Sequence, residues 1–218
     1  MLKTKIKAGP ITNLTDARYF AAREVEWLSF DFDEASETYL SPAQMSAIRE
    51  WVDGVQFIGE FGIASAADIR QQTQALKLDA IQVNMLTNIE TLIDLQLPVP
   101  IFKEMVIEQE ITPEALNAQL ELFQPWVQVF ILNFEKNNMD WQDLLAGKPF
   151  SITELQDWCK RFSIVLSIDF QKEMLNNFLN VLPFYGLCVK GGTEEKIGYK
   201  SFEELDEIFD YLEEVEQY

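Results

Sequence analysis

Apolar and polar positions along the chain repeat one unit: a short apolar run, a polar turn and an amphipathic stretch. The first unit comprises a strand over residues 2–8, the turn Gly9-Pro10, and a helix that starts at Thr12 or Asn13. Further apolar runs predict strands at residues 27–32, 54–62, 79–84, 100–106, 126–134, 163–170 and 186–190. The run 126–134 is almost continuously apolar, which is typical of a parallel strand buried on both faces.

Amphipathic stretches that begin at capping residues predict helices at residues 41–51, 65–76, 87–95, 112–123, from 151 onward, 173–182 and 201–216. Strict alternation of eight strand–helix pairs favours an α/β fold, a closed (β/α)8 or TIM barrel, as a single domain over residues 1–218. An open doubly wound sheet usually has about five or six strands. No glycine-rich dinucleotide-binding motif follows the first strand, which also disfavours the open sheet.

The carboxyl ends of the barrel strands, and the loops that follow them, are where TIM barrels place their active sites. Gly9-Pro10 is then the first loop of this rim. The longest predicted connection, residues 135–150, is expected to be a functional or mobile loop.

The chain is strongly acidic, with 17 basic and 36 acidic residues and a formal charge of −19. This balance argues against nucleic acid or an anionic membrane as a partner, and it weighs against a phosphorylated substrate. Histidine, the commonest general base and a common ligand of transition metals, is absent. We therefore expect no metal and no cofactor, and a small molecule as the ligand.

The two cysteines, Cys159 and Cys188, lie in apolar surroundings and are expected to be buried, reduced thiols. The first residues show no apolar signal region, and no apolar run approaches membrane-spanning length. The sequence thus predicts a cytoplasmic protein, as a monomer or a homodimer.

Several blocks from the first strand to the last helix carry specific residues in a fixed order. Residues 7–17 match K-I-C-G-I-T-N-x-x-D-A in part, and residues 30–42 match F-V-F-x-x-x-S-x-R-Y-V-S-P. Residues 79–84 are similar to D-x-V-Q-L-H, and residues 191–200 to S-G-V-E-x-x-P-G-x-K-D. As a set, these blocks resemble the phosphoribosylanthranilate isomerase family, whose members are eight-stranded barrels of tryptophan biosynthesis. The resemblance implies an isomerase that converts an aminoaldose phosphate to an aminoketose by an Amadori rearrangement.

The resemblance also implies a cysteine after the first strand as general base and an aspartate after the sixth strand as general acid. Aligned through Ile11-Thr12, the cysteine falls on Gly9, or on Ala8 after a shift of one residue, and the aspartate falls on Asn133. None of these residues exchanges a proton as the family's groups do. The family's arginine after the second strand falls on Thr38, and its histidine after the fourth strand falls on Asn84.

The phosphate site of the family is only partly retained. Its glycine-rich turn after the seventh strand is replaced by residues 167–170, which include Asp169, and the aspartate on its last strand is replaced by Cys188. An anion cradle remains at Lys190, Gly191, Gly192 and Thr193, although the glycine pair is equally explained by a turn that needs positive φ. Asn84 and Asn133 are candidate neutral hydrogen-bonding groups for a ligand.

Acidic residues recur near the carboxyl ends of the predicted strands, at Asp31, Glu60, Glu104, Glu135 and Asp169. They predict either an acidic rim that binds a cation, or a new acid–base pair drawn from Asp31, Glu60 and Asp169. Because side chains alternate along a strand, some of them are equally expected to point outward.

Lys103 lies among apolar residues of the fifth predicted strand, and we expect it inside the barrel. There it would serve as a substrate clamp or amine nucleophile, or would form a salt bridge with Glu60 or Glu135.

Three hypotheses follow. The chain is a catalytically degenerate member of the barrel family that binds a small metabolite, phosphorylated or not, at the carboxyl end of the barrel. Alternatively it is an enzyme, either the same isomerase or another, that uses relocated carboxylates. The third is an interaction protein whose barrel is only a scaffold.

Overall fold

Eight parallel strands form the centre of the molecule in a computed structural model that describes residues 2–169, 172–191, 193–196 and 199–213. The strands are β1 Lys5–Ala8, β2 Trp27–Asp31, β3 Gln56–Phe61, β4 Ala80–Val83, β5 Ile101–Val106, β6 Val129–Asn133, β7 Ile164–Ser167 and β8 Gly186–Val189. Each strand pairs with the next one along the chain, and β8 pairs with β1. The predicted closed barrel is confirmed.

Helices follow the strands and cover the outside of the barrel. They are α1 Leu14–Ala22, α2 Pro42–Arg49, α3 Ala66–Leu76, α4 Ile89–Leu95, α5 Pro113–Phe123, α6 Trp141–Leu145, α7 Ile152–Arg161, α8 Lys172–Val181 and α9 Glu203–Leu212. No helix within the described ranges has the length and apolar character needed to cross a membrane.

Most helix starts are set by a short polar side chain that accepts a hydrogen bond from the backbone of the first turn. This N-cap is formed by Asn13, Ser41, Ser65, Asn88, Thr112, Asp140 and Ser151. Because capping depends on neighbouring residues alone, the predicted helix starts agree with the structure to within one or two residues.

Two segments differ from the sequence-based prediction. The predicted loop 135–150 contains a 3₁₀ turn, Glu135–Asn137, and the short helix α6, which begins with a capping box of Asp140 and Asp143. After β8 the chain forms an antiparallel hairpin of β9 Thr193–Lys196 and β10 Tyr199–Ser201, which the apolar pattern did not indicate. Both elements lie at the carboxyl end of the barrel, where they enclose a cleft.

The barrel interior is filled, at its amino-terminal side, by one apolar layer. It consists of Trp27, Ile58, Ala80, Phe102, Val129, Ile131 and Val165. A second, larger apolar core lies between the strands and the helices. Because this layer fills the amino-terminal side of the barrel among the described residues, we expect a ligand to enter from the carboxyl end.

Candidate functional site

A layer of polar side chains lies directly above the inner apolar layer. On strands β2 to β7, the residue two positions after the last residue of the apolar layer is polar and also faces inward. These residues are Ser29, Glu60, Gln82, Glu104, Asn133 and Ser167. Lys7 of β1 and Cys188 of β8 complete the set. Side chains alternate along a strand, so these residues face the same interior. We refer to these eight side chains as the polar ring.

A buried ion pair occupies one side of the polar ring. The Lys7 Nζ donates to Glu60 Oε1 at 2.7 Å and to Ser29 Oγ at 2.9 Å, while Glu60 Oε2 accepts from Gln82 Nε2 at 3.1 Å. The side chains of Lys7 and Glu60 are only 5% and 15% exposed.

Both members of this pair are ionised at neutral pH. Burial opposes the charge on Lys7, but the adjacent Glu60 carboxylate outweighs it, and the pKa of Lys7 is raised above its usual value. Burial likewise opposes the charge on Glu60, yet the charge and hydrogen bond of Lys7 lower the pKa of Glu60. The pair is therefore a fixed salt bridge and not a proton donor or acceptor near neutral pH.

The opposite side of the ring holds a second network around Glu104. Its Oε1 accepts from Asn133 Nδ2 at 2.8 Å, and its Oε2 accepts from Lys136 Nζ at 2.7 Å. The carboxylate side chain is 9% exposed, whereas the Lys136 side chain is 55% exposed. Asn133 Oδ1 accepts from the Lys136 backbone N–H at 3.1 Å, so the amide joins β6 to the loop that follows it.

Gln82 lies on β4, between the strands that carry Glu60 and Glu104, and the oxygen of its side-chain amide has no hydrogen-bond partner. The residue is 7% exposed, and its Oε1 is buried without a hydrogen bond. A buried carbonyl oxygen without a donor is unfavourable by about 1–3 kcal/mol. Among the described residues of the polar ring, this oxygen is a fully buried acceptor without a donor.

A cleft of about 770 Å³ opens between the residues that follow β6, β7 and β8 and the start of α9, and of the polar ring only Cys188 is in its described lining. Its charged lining consists of Glu135, Asp140, Asp169, Glu203, Glu204 and Lys190. Lys190 forms an ion pair with Glu135, and Cys188 lies at the inner end of the cleft. Burial raises the pKa of the Cys188 thiol to about 12, so this group is neutral.

The anion cradle expected after β8 has an acidic environment. A Cβ on Gly191 would lie 2.6 Å from Asp16 Oδ2, and the ammonium of Lys190 is bound by Glu135. Gly191 does not have positive φ, so the turn explanation is wrong for this residue, which instead allows close approach of Asp16. Gly192 lies outside the described residues, and the backbone of Thr193 begins β9.

The two residues expected at the position of the family's base do not fill the barrel interior. Ala8 packs in the outer core, and Gly9, at φ +147°, has no space for a side chain because a Cβ would lie 2.2 Å from Ser29 Oγ. Lys7 is the residue of this segment whose side chain enters the polar ring. The family motif can also be aligned by matching K-I-C to Lys5-Ile6-Lys7, and the family's cysteine then falls on Lys7. The alignment through Ile11-Thr12 did not identify Lys7 as the residue at the position of the base.

The expected interior position of Lys103 is wrong. Its neighbours along β5, Phe102 and Glu104, face inward, so Lys103 faces the helices. Its Nζ donates to the carbonyl oxygens of Asn84, Met85 and Thr87 at 3.0, 3.3 and 2.9 Å. It also lies 4.3 Å from the centre of the Phe123 ring, and burial lowers its pKa to about 8. Lys103 thus secures the loop after β4 and forms neither of the expected salt bridges.

The remaining candidate site residues differ in what their side chains contact. Asp31 accepts from the Thr38 hydroxyl at 2.8 Å and from the Asp33 backbone at 2.9 Å, which stabilises the loop after β2. Asn84 accepts from the Leu86 backbone at 3.0 Å within its own loop. Asp169 lines the cleft, and Glu60 belongs to the polar ring. Asp31 and Glu60 are paired in the register of β2 and β3, but no described side-chain hydrogen bond or ion pair joins either of them to the other or to Asp169.

Comparison with known proteins identifies one family over nearly the whole chain. The family model described as N-(5'-phosphoribosyl)anthranilate (PRA) isomerase matches residues 6–211. No curated protein matches the chain in sequence.

Solved structures with the same fold include phosphoribosylanthranilate isomerase from Thermus thermophilus, at 21% identity and a TM-score of 0.74. Monomers generated from the dimeric enzyme of Thermotoga maritima match at 19% identity and a TM-score of 0.73. A phosphoribosylanthranilate isomerase in complex with reduced 1-(o-carboxyphenylamino)-1-deoxyribulose 5-phosphate matches at 19% identity and a TM-score of 0.74. Each alignment covers 96% of this chain and 98% of the other.

Proposed function

Because the chain belongs to the phosphoribosylanthranilate isomerase family, we propose that it is a member that has lost the isomerase reaction and binds a small molecule at the carboxyl end of its barrel. The observation that carries this proposal is the Lys7–Glu60 ion pair. When K-I-C of the family motif is aligned with residues 5–7, Lys7 stands at the position of the family's general base, and it is bound to a carboxylate.

An Amadori rearrangement needs one group that accepts a proton and another that donates one, each with a pKa suited to neutral pH. Lys7 is held protonated by Glu60, and Glu60 is held ionised by Lys7. Asn133, at the position of the family's acid, is an amide that donates to Glu104. Each acid–base group contributes about 10²–10⁴-fold to a rate, so the loss of both removes at least about 10⁴-fold.

The electrostatics of the cleft also disfavour the family's phosphorylated substrate. Five carboxylates line the cleft, and its one described lysine, Lys190, is ion-paired with Glu135. A phosphate dianion placed there meets net negative charge, and the residues after β7 no longer form a glycine-rich turn.

Binding of a small molecule is supported by the open end of the barrel. A cleft of about 770 Å³ is within the range of known ligand pockets, and its inner end reaches the polar ring at Cys188. This favours a binding function over the scaffold hypothesis, which predicts a filled barrel mouth. We infer a monomer or a homodimer.

The test is a turnover assay with freshly generated phosphoribosylanthranilate and protein purified from a host strain that lacks its own isomerase. We expect no turnover above the uncatalysed rate at high concentrations of folded protein. Glu60→Gln and Asp169→Asn are measured in parallel, with Glu26→Gln as the matched control because Glu26 pairs with the partly exposed Lys5 at 3.5 Å. Turnover that Glu60→Gln or Asp169→Asn abolishes and Glu26→Gln preserves would refute the proposal.

A further inference from the structure

We propose that helix α9 is a lid of the cleft, and that Arg23 and Tyr19 of α1 are the residues that hold its cleft end in place. The lid rests on the binding function proposed above, because the cleft is the site that its movement opens. Its movement is measured below without any ligand.

Helix α9 forms one wall of the cleft with its amino-terminal half. Its residues in the cleft lining are Glu203, Glu204, Leu205 and Ile208. Cys188 of the polar ring lines the same cleft. A movement of this half of the helix therefore changes how far solvent and ligands reach Cys188.

The two ends of α9 are held differently. At the carboxyl end Phe209 and Leu212 are fully buried, and the Lys3 backbone N–H donates to the Leu212 carbonyl oxygen at 2.8 Å. At the amino end the N-cap residue is Phe202, which among the described contacts gives the first turn no side-chain hydrogen bond. Because a side-chain cap stabilises the first turn of a helix, the cleft end of α9 is the end that separates more readily.

The charges of α9 make this helix depend on its neighbours. Six of the residues 203–213 are acidic and none is basic. Like charges three or four residues apart on a helix repel one another, and Asp206, Asp210 and Glu213 form such a series. The positive charge that offsets this repulsion has to come from another element.

Arg23, which follows the last turn of α1, supplies that positive charge. Its guanidinium donates to the carboxylates of Asp206, Asp210 and Glu213, at 3.0 Å to each of the last two. The Arg23 side chain is only 22% exposed, so α1 holds this cation between the two helices. One arginine thus binds a whole face of α9.

Tyr19 adds a contact at the cleft end of α9. Its hydroxyl donates to Asp206 at 2.8 Å, and its ring stacks on Phe202 with 4.1 Å between the ring centres. On the side of α8, the described ion pair joins Lys172 to Glu207 at 3.3 Å, and both side chains are largely exposed. Because exposed ion pairs contribute little to stability, the contacts with α1 are the ones expected to control the position of α9.

The two cysteines of the chain distinguish movement of α9 from unfolding of the barrel. Burial raises the pKa of both Cys188 and Cys159 to about 12, so each thiol reacts slowly while it is enclosed. Cys188 lines the cleft, whereas Cys159 lies on α7 in the outer core. Movement of α9 exposes Cys188 alone, and unfolding of the whole barrel exposes both thiols.

The experiment is labelling of the intact, folded protein with iodoacetamide, followed by mass spectrometry of the two cysteine peptides. Arg23→Met removes the guanidinium and is expected to raise the labelling rate of Cys188 at least about fivefold, because the open state becomes more populated. The labelling rate of Cys159 is expected to stay the same. Tyr19→Phe removes only the hydrogen bond to Asp206 and is expected to raise the Cys188 rate by a smaller factor.

Two further variants separate the positioning role of Arg23 from a general loss of stability. Arg23→Lys keeps a positive charge but not the forked donor, so it is expected to restore the slow Cys188 rate in part. Arg49→Met is the matched control, because Arg49 lies at the end of α2 and pairs with Asp79 at 3.6 Å, away from the cleft. It is expected to leave the Cys188 rate unchanged.

An unchanged Cys188 rate in Arg23→Met would overturn the lid. An equal rise at Cys188 and Cys159 would also overturn it, because that result reports unfolding of the whole barrel, and so would an equal rise in Arg49→Met. Turnover of phosphoribosylanthranilate is the separate result that defeats the proposed function, and it does not alter the labelling rates.

Discussion

Replacement of Lys7 by methionine is the sharpest test of the buried ion pair. Methionine keeps an unbranched side chain of similar length but removes the ammonium that binds Glu60 at 2.7 Å and Ser29 at 2.9 Å. The Glu60 carboxylate then keeps the neutral N–H of Gln82 as a donor but has lost its counter-charge. Because Glu60 is 15% exposed, water restores little of the lost solvation.

The expected loss of stability follows from that burial. Removal of one partner of a buried ion pair lowers the free energy of unfolding by about 3–5 kcal/mol. For a domain of this size each kcal/mol corresponds to about 2–4 °C, so the melting temperature is expected to fall by about 6–20 °C. The pKa of Glu60 is expected to rise in the variant, because burial is no longer opposed by the charge of Lys7.

Urea unfolding, followed by fluorescence and circular dichroism, measures this change for Lys7→Met, Glu60→Gln and the double variant. The double variant removes both charges, so it is expected to be more stable than Lys7→Met alone, with a coupling energy of at least about 1 kcal/mol. Lys5→Met on the same strand is the matched control. Its ion pair with Glu26 is 3.5 Å long and joins side chains that are 39% and 35% exposed, and its loss is expected to be about 1 kcal/mol. Equal losses in the free energy of unfolding for Lys7→Met and Lys5→Met, or no coupling energy between Lys7 and Glu60, would show that Lys7 and Glu60 do not form a buried, mutually stabilising ion pair.

Two further predictions concern pH and the loop after β4. The pKa of Lys7 is raised in the folded protein, so the stability that Lys7 contributes is present below pH 10.5 and is lost as pH rises through the folded pKa. The pKa of Glu60 is lowered in the folded protein, so the stability that Glu60 contributes is present above pH 4.5 and is lost as pH falls through the folded pKa. Urea midpoints measured across the pH range should therefore fall at both ends more steeply for the native protein than for Lys7→Met/Glu60→Gln, and parallel curves would contradict this. Lys103→Met removes three hydrogen bonds to carbonyl oxygens of residues 84–87, so amide exchange in that loop is expected to accelerate while the barrel strands keep their protection. Unchanged exchange there would argue against a role of Lys103 in securing the loop.

The sequence was sufficient for the elements of the barrel because their determinants are local. Strands were indicated by short apolar runs, and helix starts by capping residues such as Ser41, Ser65 and Ser151, which act within one turn. The short helix α6 was missed because five residues are too few to show helical periodicity, although Asp140 and Asp143 form a capping box that signals its start.

The candidate site was predicted less well, because a site depends on which way each side chain points. Glu60 and Asn133 lie near the ends of β3 and β6, as the apolar pattern predicts, yet the sequence did not show that Glu60 binds Lys7 and that Asn133 binds Glu104. Lys7 was missed because three residues separate it from Ile11 where the family motif has one, so an alignment through Ile11 placed the base position on the wrong residue. Lys103 was misplaced because an outward lysine between the strands and the helices gives the same sequence pattern as an inward one.

The sequence by itself therefore determined the barrel, the order of its strands and helices, the acidic character of the chain, and the absence of the family's cysteine and aspartate from their aligned positions. Only the tertiary structure decided which side chains meet in the polar ring, which lysine is buried with a carboxylate, and which acceptor is left unused. The physical reason is that neighbouring ring positions such as Lys7, Ser29 and Glu60 lie 22 and 31 residues apart along the chain. The register and closure of the barrel bring them together, and a shift of one residue in any strand would turn its side chain from the interior to the helices.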